Sequence, residues 1–401
     1  AFFTSPLAPS STNPASRRVM APSTPRHRGP PPSPERQLRP ALAVLLVIGL
    51  LLAWSWAPLR SSPELAPAAS STTPAIASDL ALAGGPGARR AGRRRRKTAP
   101  QHPITIAESV ALLESVDLFV FDCDGVIWRG DTLIEGIKET LEALRRLGKR
   151  LVFVTNNSTR SRKQYAEKFR KLGLEWVTEE NIFASSFAAA AYLKAKGFDK
   201  KAYVIGEDGI LGELEAVGIL HLGGPADAAR KVDLSSGGNT SVQVDPDVGA
   251  VIVGFDRHFN YYKLQYATKC LREVPGCIFV ATNRDAVTHL TADDEWAGGG
   301  SMVAAVSAAS QREPVLVGKP AQFMTEFLAS EYGVPPERMC MVGDRLDTDI
   351  LFGQAGGMRT VLVLSGVTSE ATLHSKSNLV FPDYYAPSLV SLRPQSPVAK
   401  L

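Results

Sequence analysis

Phe119-Val120-Phe121-Asp122-Cys123-Asp124-Gly125-Val126 is a short apolar run that breaks off on two acids. A run this apolar suits a strand whose sheet is covered by helices on both faces. Open α/β sheets bind ligands at the carboxyl edge of their strands, so the residues that follow such a run are placed there. Three further stretches repeat the pattern of apolar run and polar end: Val154-Thr155-Asn156-Asn157-Ser158, Val317-Gly318-Lys319-Pro320 and Met341-Val342-Gly343-Asp344-Arg345-Leu346-Asp347-Thr348-Asp349. Around the first, Ile106 to Val116 reads as a short helix and Leu118 to Phe121 as the strand. Helical periodicity runs from Ile134 to Leu147 and stops at Gly148. Leu151 to Val154 is a second strand, and Ser161 to Leu172 a helix ending at Gly173. This β-α-β-α order predicts an α/β fold, a Rossmann-like parallel sheet with right-handed crossovers.

Residues 188–295 repeat the pattern on a smaller scale. Lys201 to Ile205 and Gly249 to Val253 read as strands, Ile210 to Ala216 and Tyr261 to Arg272 as helices, and Gly223 to Asp247 as an irregular excursion. The main pattern is then expected to resume with strand Val315 to Val317, helix Phe323 to Glu331, strand Met339 to Val342, helix Thr348 to Ala355 and strand Thr360 to Leu364. Residues 105–187 plus 296–395 are therefore the expected catalytic core. Residues 188–295 are an inserted α/β cap domain, with crossings near Ala184 to Ala190 and Gly298 to Gly300.

The formal charge of the 401 residues is +5, but its distribution matters more than its sign. In residues 1–100 thirteen Arg and one Lys face only Glu35, Glu64 and Asp79, so the remainder is net acidic. The basicity belongs to an unfolded leader over 1–104, which argues against nucleic acid as a partner. Within the leader, residues 41–57 form an apolar segment at the short limit for a membrane span, preceded by Arg36 and Arg39. Residues 58–100 are rich in Ala, Ser and Arg, like a transit peptide. A signal-like core followed by such a stretch resembles the bipartite leaders of algae whose plastids carry extra membranes. The alternative is a single-pass anchor. The four cysteines form no C-x-x-C pair and read as small buried thiols; Cys123, beside two acids, is the one whose oxidation would matter.

The four polar ends together suit phosphoryl transfer, in which positioning and charge neutralisation carry the rate. Asp122 is the expected nucleophile, forming an aspartyl-phosphate. Asp124 would protonate the leaving oxygen and then activate water; two acids this close push one pKa upward. Mg²⁺ takes hard oxygens: Asp122, the backbone carbonyl of Asp124 and Asp344, with Asp349 orienting a metal-bound water from behind. Thr155 offers a hydroxyl, Asn156 and Asn157 offer amides, and Lys319 a compact cation for nucleophile and phosphate together. Taken singly these motifs say little. D-x-D is common on loops, Thr155-Asn156-Asn157 could cap a helix, Lys319 could be a solvated turn residue, and Asp344, Asp347 and Asp349 could favour a helix start. Their conjunction at strand ends decides the reading. In the loop Thr282 to Gly300, Arg284 or His289 could meet a substrate carboxylate. Gly298-Gly299-Gly300 reads as a hinge, Asp293, Asp294 and Glu295 as a solvated surface, and His258 as a turn or interface residue.

The four motifs resemble those of the haloacid dehalogenase-like phosphatases. The strings FDCDGVIWRGD, RLVFVTNNSTRSRKQY, IFASSFAAAAYL, VGFDRHFNYYKLQYAT, ATNRDAVTHLT, EWAGGGSMV and MVGDRLDTDILFGQ are similar to the plant and algal chloroplast phosphoglycolate phosphatases. The resemblance covers about residues 105–390. It implies Asp122 as nucleophile, Asp124 as acid/base, Asp122, Asp124 and Asp344 at magnesium, and Thr155, Asn156, Asn157 and Lys319 at phosphate. It also implies hydrolysis of 2-phosphoglycolate in the plastid stroma as part of photorespiration. A homodimer through the cap is implied too, with no stable membrane association of the mature enzyme. Relatives specific for pyridoxal phosphate carry a His where Thr288 stands, which argues against that larger substrate. A sister activity on pyridoxal phosphate or glycerol phosphate would use the same core residues. A membrane-tethered, non-catalytic binding protein is the reading from a different class.

Overall fold

A computed structural model describes residues 98–232, 241–288 and 294–394. Residues 1–97 of the expected leader, with its segments 41–57 and nearly all of 58–100, lie outside the described residues, as does His289. Residues 98–104, expected to be unfolded with them, instead join the folded body, where Ala99 is buried beside Leu362 and the Ile104 N–H donates to the Tyr385 carbonyl at 2.7 Å. Among the described residues, no helix is long and apolar enough to cross a membrane.

Six parallel strands form the first sheet, in the order Tyr384–Ala386, Arg359–Val363, Met339–Gly343, Leu118–Phe121, Arg150–Thr155, Ile182–Ala184. The strand Leu118–Phe121 is buried at every residue and lies between the two strands that end in Gly343 and Thr155. Phe121 is in register with both Val342 and Phe153. Asp122, Gly343-Asp344 and Val154-Thr155 consequently leave the sheet at neighbouring heights on one edge. Beneath them Phe153 and Phe169 meet at 4.5 Å between ring centroids, and Trp128 meets Phe169 edge-on at 4.8 Å. This aromatic layer fixes the strands that carry the polar ends.

Local chemistry sets the helix limits. Thr105 caps the helix Ile106–Ser115 reciprocally with Glu108, and Ser161 does the same with Gln164 for Arg162–Lys171. The helix expected from Ile134 begins instead at Ile137, because residues 134–136 form the preceding turn. The expected helix 348–355 opens with a wide π-type turn, Leu346–Ile350, before Leu351–Gly356.

A second parallel sheet has the order Val315–Leu316, Ile278–Ala281, Val248–Val253, Lys201–Ile205, His221–Gly223. It corrects two expectations. Val315–Leu316 does not resume the first sheet but pairs with Ile278–Ala281, since a short apolar strand carries no label for its sheet. The expected hinge at Gly298 to Gly300 instead opens the helix Gly299–Ser310, whose Val303 and Val306 pack with Tyr262 and Tyr266 in the second core. The chain therefore returns to the first sheet after Leu316, at Val317 to Lys319. On the way out, Ile182–Ala184 leads directly into the helix Ser185–Ala195, whose small buried residues join the apolar layers of both sheets. The expected irregular stretch Gly223 to Asp247 starts on the last residue of the strand His221–Gly223 and runs into a single turn at Gly224–Asp227; its residues 233–240 lie outside the described residues.

The second unit also holds a charge pair removed from water. The Lys263 ammonium donates to Asp256 at 2.6 Å, with exposures of 0% and 2%. Breaking one half of such a pair strands the other charge, at a cost of about 3–5 kcal/mol. Asp256→Ala is expected to lower stability by about that amount, and Asp256→Leu combined with Lys263→Met to recover most of it. Urea unfolding of the three variants checks this; equal losses in the single and double variants would contradict it.

Candidate active site

Asp122 follows the central strand, and its backbone N–H donates to Val342 at 2.9 Å, extending the ladder one residue into the site. Its carboxylate accepts from the Lys319 ammonium, which arrives on the segment returning from the second sheet. Lys319 also donates to Asp349 Oδ1 at 2.7 Å and to the Val154 carbonyl at 3.0 Å, using three donors on three acceptors. Burial works against this ammonium, but Asp122 and Asp349 outweigh it and hold its pKa above the ordinary lysine value.

Asp344 leaves the neighbouring strand beside this pair. Its Oδ2 accepts from Val367 N at 2.7 Å, and its backbone carbonyl from Thr368 N at 3.1 Å, so the loop after Val363 orients it. A Cβ at Gly366 would overlap the Asp344 carboxylate, which explains a residue without a side chain there. Asp349 Oδ2 accepts from the backbone N–H of Asp344 and Arg345, both at 3.1 Å.

Asp122, Asp344 and Asp349 each place a carboxylate oxygen within 4.8 Å of the others, and all three are buried. Three carboxylates facing one ammonium leave an excess of negative charge out of water. Burial, followed by the charge of Asp349, pushes Asp344 up to about 7, and burial pushes Asp122 well above the carboxylate range. A divalent cation would remove that penalty, so this donor set fits a hard ion. Both oxygens of Asp349 are already engaged by Lys319 and by amides, whereas Asp122 and Asp344 each keep an oxygen outside these bonds.

Asp124 is exposed, unlike the cluster, and accepts from Trp128 Nε1 at 2.8 Å. Thr155 is buried at the end of its strand, and its hydroxyl oxygen accepts from Asn157 N at 3.1 Å. Asn157 is exposed; its side-chain oxygen accepts from Thr159 N at 3.1 Å and Thr159 Oγ1 at 2.7 Å. It therefore shapes the turn, while Ser161 caps the next helix. Both hydrogens of the Asn156 amide are turned inward, toward the Lys319 carbonyl and Asp285.

The loop candidates fare differently. Arg284 pairs with Glu313 in an exposed ion pair instead of turning to the cluster. Thr288 lies in the short strand Val287–Thr288 opposite Trp296. The backbone N–H of His258 donates to Asp256, within a turn. Asp347 is exposed and bound by Arg345 at 2.8 Å. All four cysteines are buried thiols, and burial raises the Cys123 thiol well above its ordinary value, disfavouring the reactive thiolate.

Sequence reasoning passed over three residues. Trp128 orients Asp124. Asp285, whose carboxyl burial pushes upward, accepts from Asn156 Nδ2 at 3.2 Å. Asn283 donates to the Asn156 carbonyl at 2.7 Å. The signal for the last two was the polar run Thr282 to Asp285 directly after an apolar strand, the same pattern as the four motifs.

Known proteins resemble this chain in sequence and shape. A model for haloacid dehalogenase-like hydrolases matches residues 119–220, and a HAD-hydrolase-like model matches residues 316–392. Phosphoglycolate phosphatase 1A, chloroplastic, of Arabidopsis thaliana is 64% identical over 276 residues, covering 68% of this chain and 75% of that protein. The p-nitrophenyl phosphatase of Archaeoglobus fulgidus superposes with a TM-score of 0.59 at 30% identity, covering 69% of this chain and 98% of its own. A glycerol phosphate phosphatase of Mycobacterium tuberculosis, solved in complex with magnesium, superposes with a TM-score of 0.57 at 27% identity, covering 70% of this chain and 78% of its own. Identity at this level over three quarters of the Arabidopsis protein leaves one conclusion: the chain belongs to the haloacid dehalogenase-like hydrolases.

Proposed function

We infer that the protein hydrolyses 2-phosphoglycolate to glycolate and phosphate. The observation that carries the chemistry is the Lys319 ammonium bonded to both Asp122 and Asp349 beside Asp344. The substrate follows from the 64% identity to an Arabidopsis phosphoglycolate phosphatase.

In this reading an Asp122 oxygen attacks phosphorus, the ester P–O bond breaks, and the departing alkoxide takes a proton from Asp124. Asp124 then accepts a proton from water. The resulting hydroxide attacks phosphorus, and the Asp122 acyl-phosphate bond breaks to release inorganic phosphate. Exposure suits Asp124 to both proton transfers, and Trp128 holds the carboxyl in place. Lys319 offsets the repulsion between an anionic nucleophile and an anionic ester. Asp122, the Asp124 carbonyl and Asp344 would hold Mg²⁺, which when bound neutralises charge on the phosphoryl oxygens. Asp349, engaged by Lys319 and two amides, would support the ion's ligands without binding it directly. Thr155 and the turn at Asn157 border the phosphoryl position. The relative is chloroplastic by name, and with the Arg-rich leader this supports a plastid enzyme. There the reaction would clear the product of ribulose-bisphosphate oxygenation.

Phosphate release should be highest with 2-phosphoglycolate in a panel with glycerol 3-phosphate, pyridoxal phosphate and p-nitrophenyl phosphate, and should cease with EDTA. Faster turnover of another ester would overturn the substrate. Asp122→Asn should reduce kcat by roughly 10³-fold or more with an unchanged circular dichroism spectrum; near-wild-type activity would refute the mechanism. Asp349→Asn should raise the Mg²⁺ concentration for half-maximal activity by about 10–100-fold, read from a metal titration at saturating substrate. An unchanged midpoint would remove Asp349 from the support of the ion.

A further inference from the structure

Three segments meet behind the Lys319 ammonium: residues 155–158 from the first sheet, 282–285 from the second, and the returning stretch 317–319. Asn156 is where they join. Its Oδ1 accepts from the Lys319 backbone N–H at 2.8 Å, and its Nδ2 donates to the Lys319 carbonyl at 3.0 Å. The side-chain amide thus grips both backbone groups of one residue, as a neighbouring strand would. The opposite amide orientation would set like against like. The second Nδ2 hydrogen goes to Asp285, at 3.2 Å to Oδ2. The Asn156 carbonyl accepts from Asn283 Nδ2 at 2.7 Å and Ser185 Oγ at 2.6 Å, and Asn283 Oδ1 in turn accepts from Asp285 N at 3.0 Å. Asn156, Asn283, Ser185 and Lys319 are all buried. At Gly318 a Cβ would collide with the Thr282 carbonyl and lie 2.7 Å from Asn156 Oδ1, so the junction closes only around a glycine.

We propose that Asn156 is the positioning residue for the Lys319 ammonium, and that Asp285 makes that position depend on the loop of the second unit. The proposal rests on the reading that Lys319 serves phosphoryl transfer, and it replaces the expected contact between the Asn156 amide and phosphate. With both amide hydrogens spent, Asn156 has none left for a phosphoryl oxygen. Lys319 uses its three donors on Asp122, Asp349 and the Val154 carbonyl, so the ammonium stays in register only while its own backbone does. Asn156 sets that backbone. Asp285, from the other unit, holds Asn156 in the gripping orientation.

The test is a set of double-variant cycles, run with p-nitrophenyl phosphate for every protein. Asn156→Ala should lower kcat about 10²-fold, the scale of a displacement near 1 Å, while KM moves less than about threefold. In a Lys319→Met background the same change should cost less than about threefold, because a residue acting through Lys319 has nothing left to position. Asp285→Ala should lower kcat about tenfold alone and have no further effect in either the Asn156→Ala or the Lys319→Met protein. Asp285→Asn, which keeps an acceptor, should restore most of the loss. Losses that multiply across Asn156 and Lys319, or a KM that rises with Asn156→Ala, would overturn the proposal and return Asn156 to phosphate. Should Asn156→Ala fail to fold, Asp285→Ala with and without Lys319→Met decides on its own. Preference of the wild type for another natural ester would overturn the substrate reading alone, since all variants are compared on one ester.

Discussion

An imbalance of charge governs this molecule: three buried carboxylates, Asp122, Asp344 and Asp349, converge on the single ammonium of Lys319. Carboxylates do not gather out of water without compensation. The sheet brings them together because Leu118–Phe121 is flanked on one side by the strand ending in Gly343 and on the other by the strand ending in Thr155. The ammonium comes from elsewhere, on the stretch that descends from the second sheet. The site therefore forms only when both sheets are in place, and its excess negative charge fits it for a divalent cation, without which it would repel any further anion.

The same constraint divides the labour among the acids. Burial raises Asp122 and Asp344 while Lys319 opposes the shift, so the occupancy of this pocket by cations decides how charged they are. Asp124 stands apart at the open side, exposed and oriented by the Trp128 indole. One strand end thus supplies a buried carboxylate and an accessible one, two residues apart, as the proposed pairing of nucleophile and proton carrier requires.

Much of this was legible in the sequence. Apolar runs ending in polar residues gave the strands and the edge on which Asp122, Thr155 and Asp344 lie, because a buried parallel strand leaves an unmistakable hydrophobic signature. Partnerships that depend on which sheet a strand joins were not legible. Val315–Leu316 looks the same in either sheet, so the return crossing was expected too early, at Gly298 to Gly300. Asn156 has the composition of a phosphate contact, and only the proximity of Lys319 and Asp285, distant in the chain, reveals where its hydrogens go. Arg284 could have reached a carboxylate ligand, but Glu313 holds it. Side-chain destinations across long sequence separations are what a linear reading lacks.

The account turns on a covalent bond between Asp122 and phosphorus, formed while Lys319 holds the nucleophile. Acid quenching during turnover of 2-phosphoglycolate with Mg²⁺, followed by proteolysis and mass spectrometry, tests it most directly. A hydroxylamine-sensitive phosphoryl adduct on the peptide containing Asp122 is the predicted result. Sustained turnover with no adduct on that peptide, or with the adduct on another residue, would contradict it.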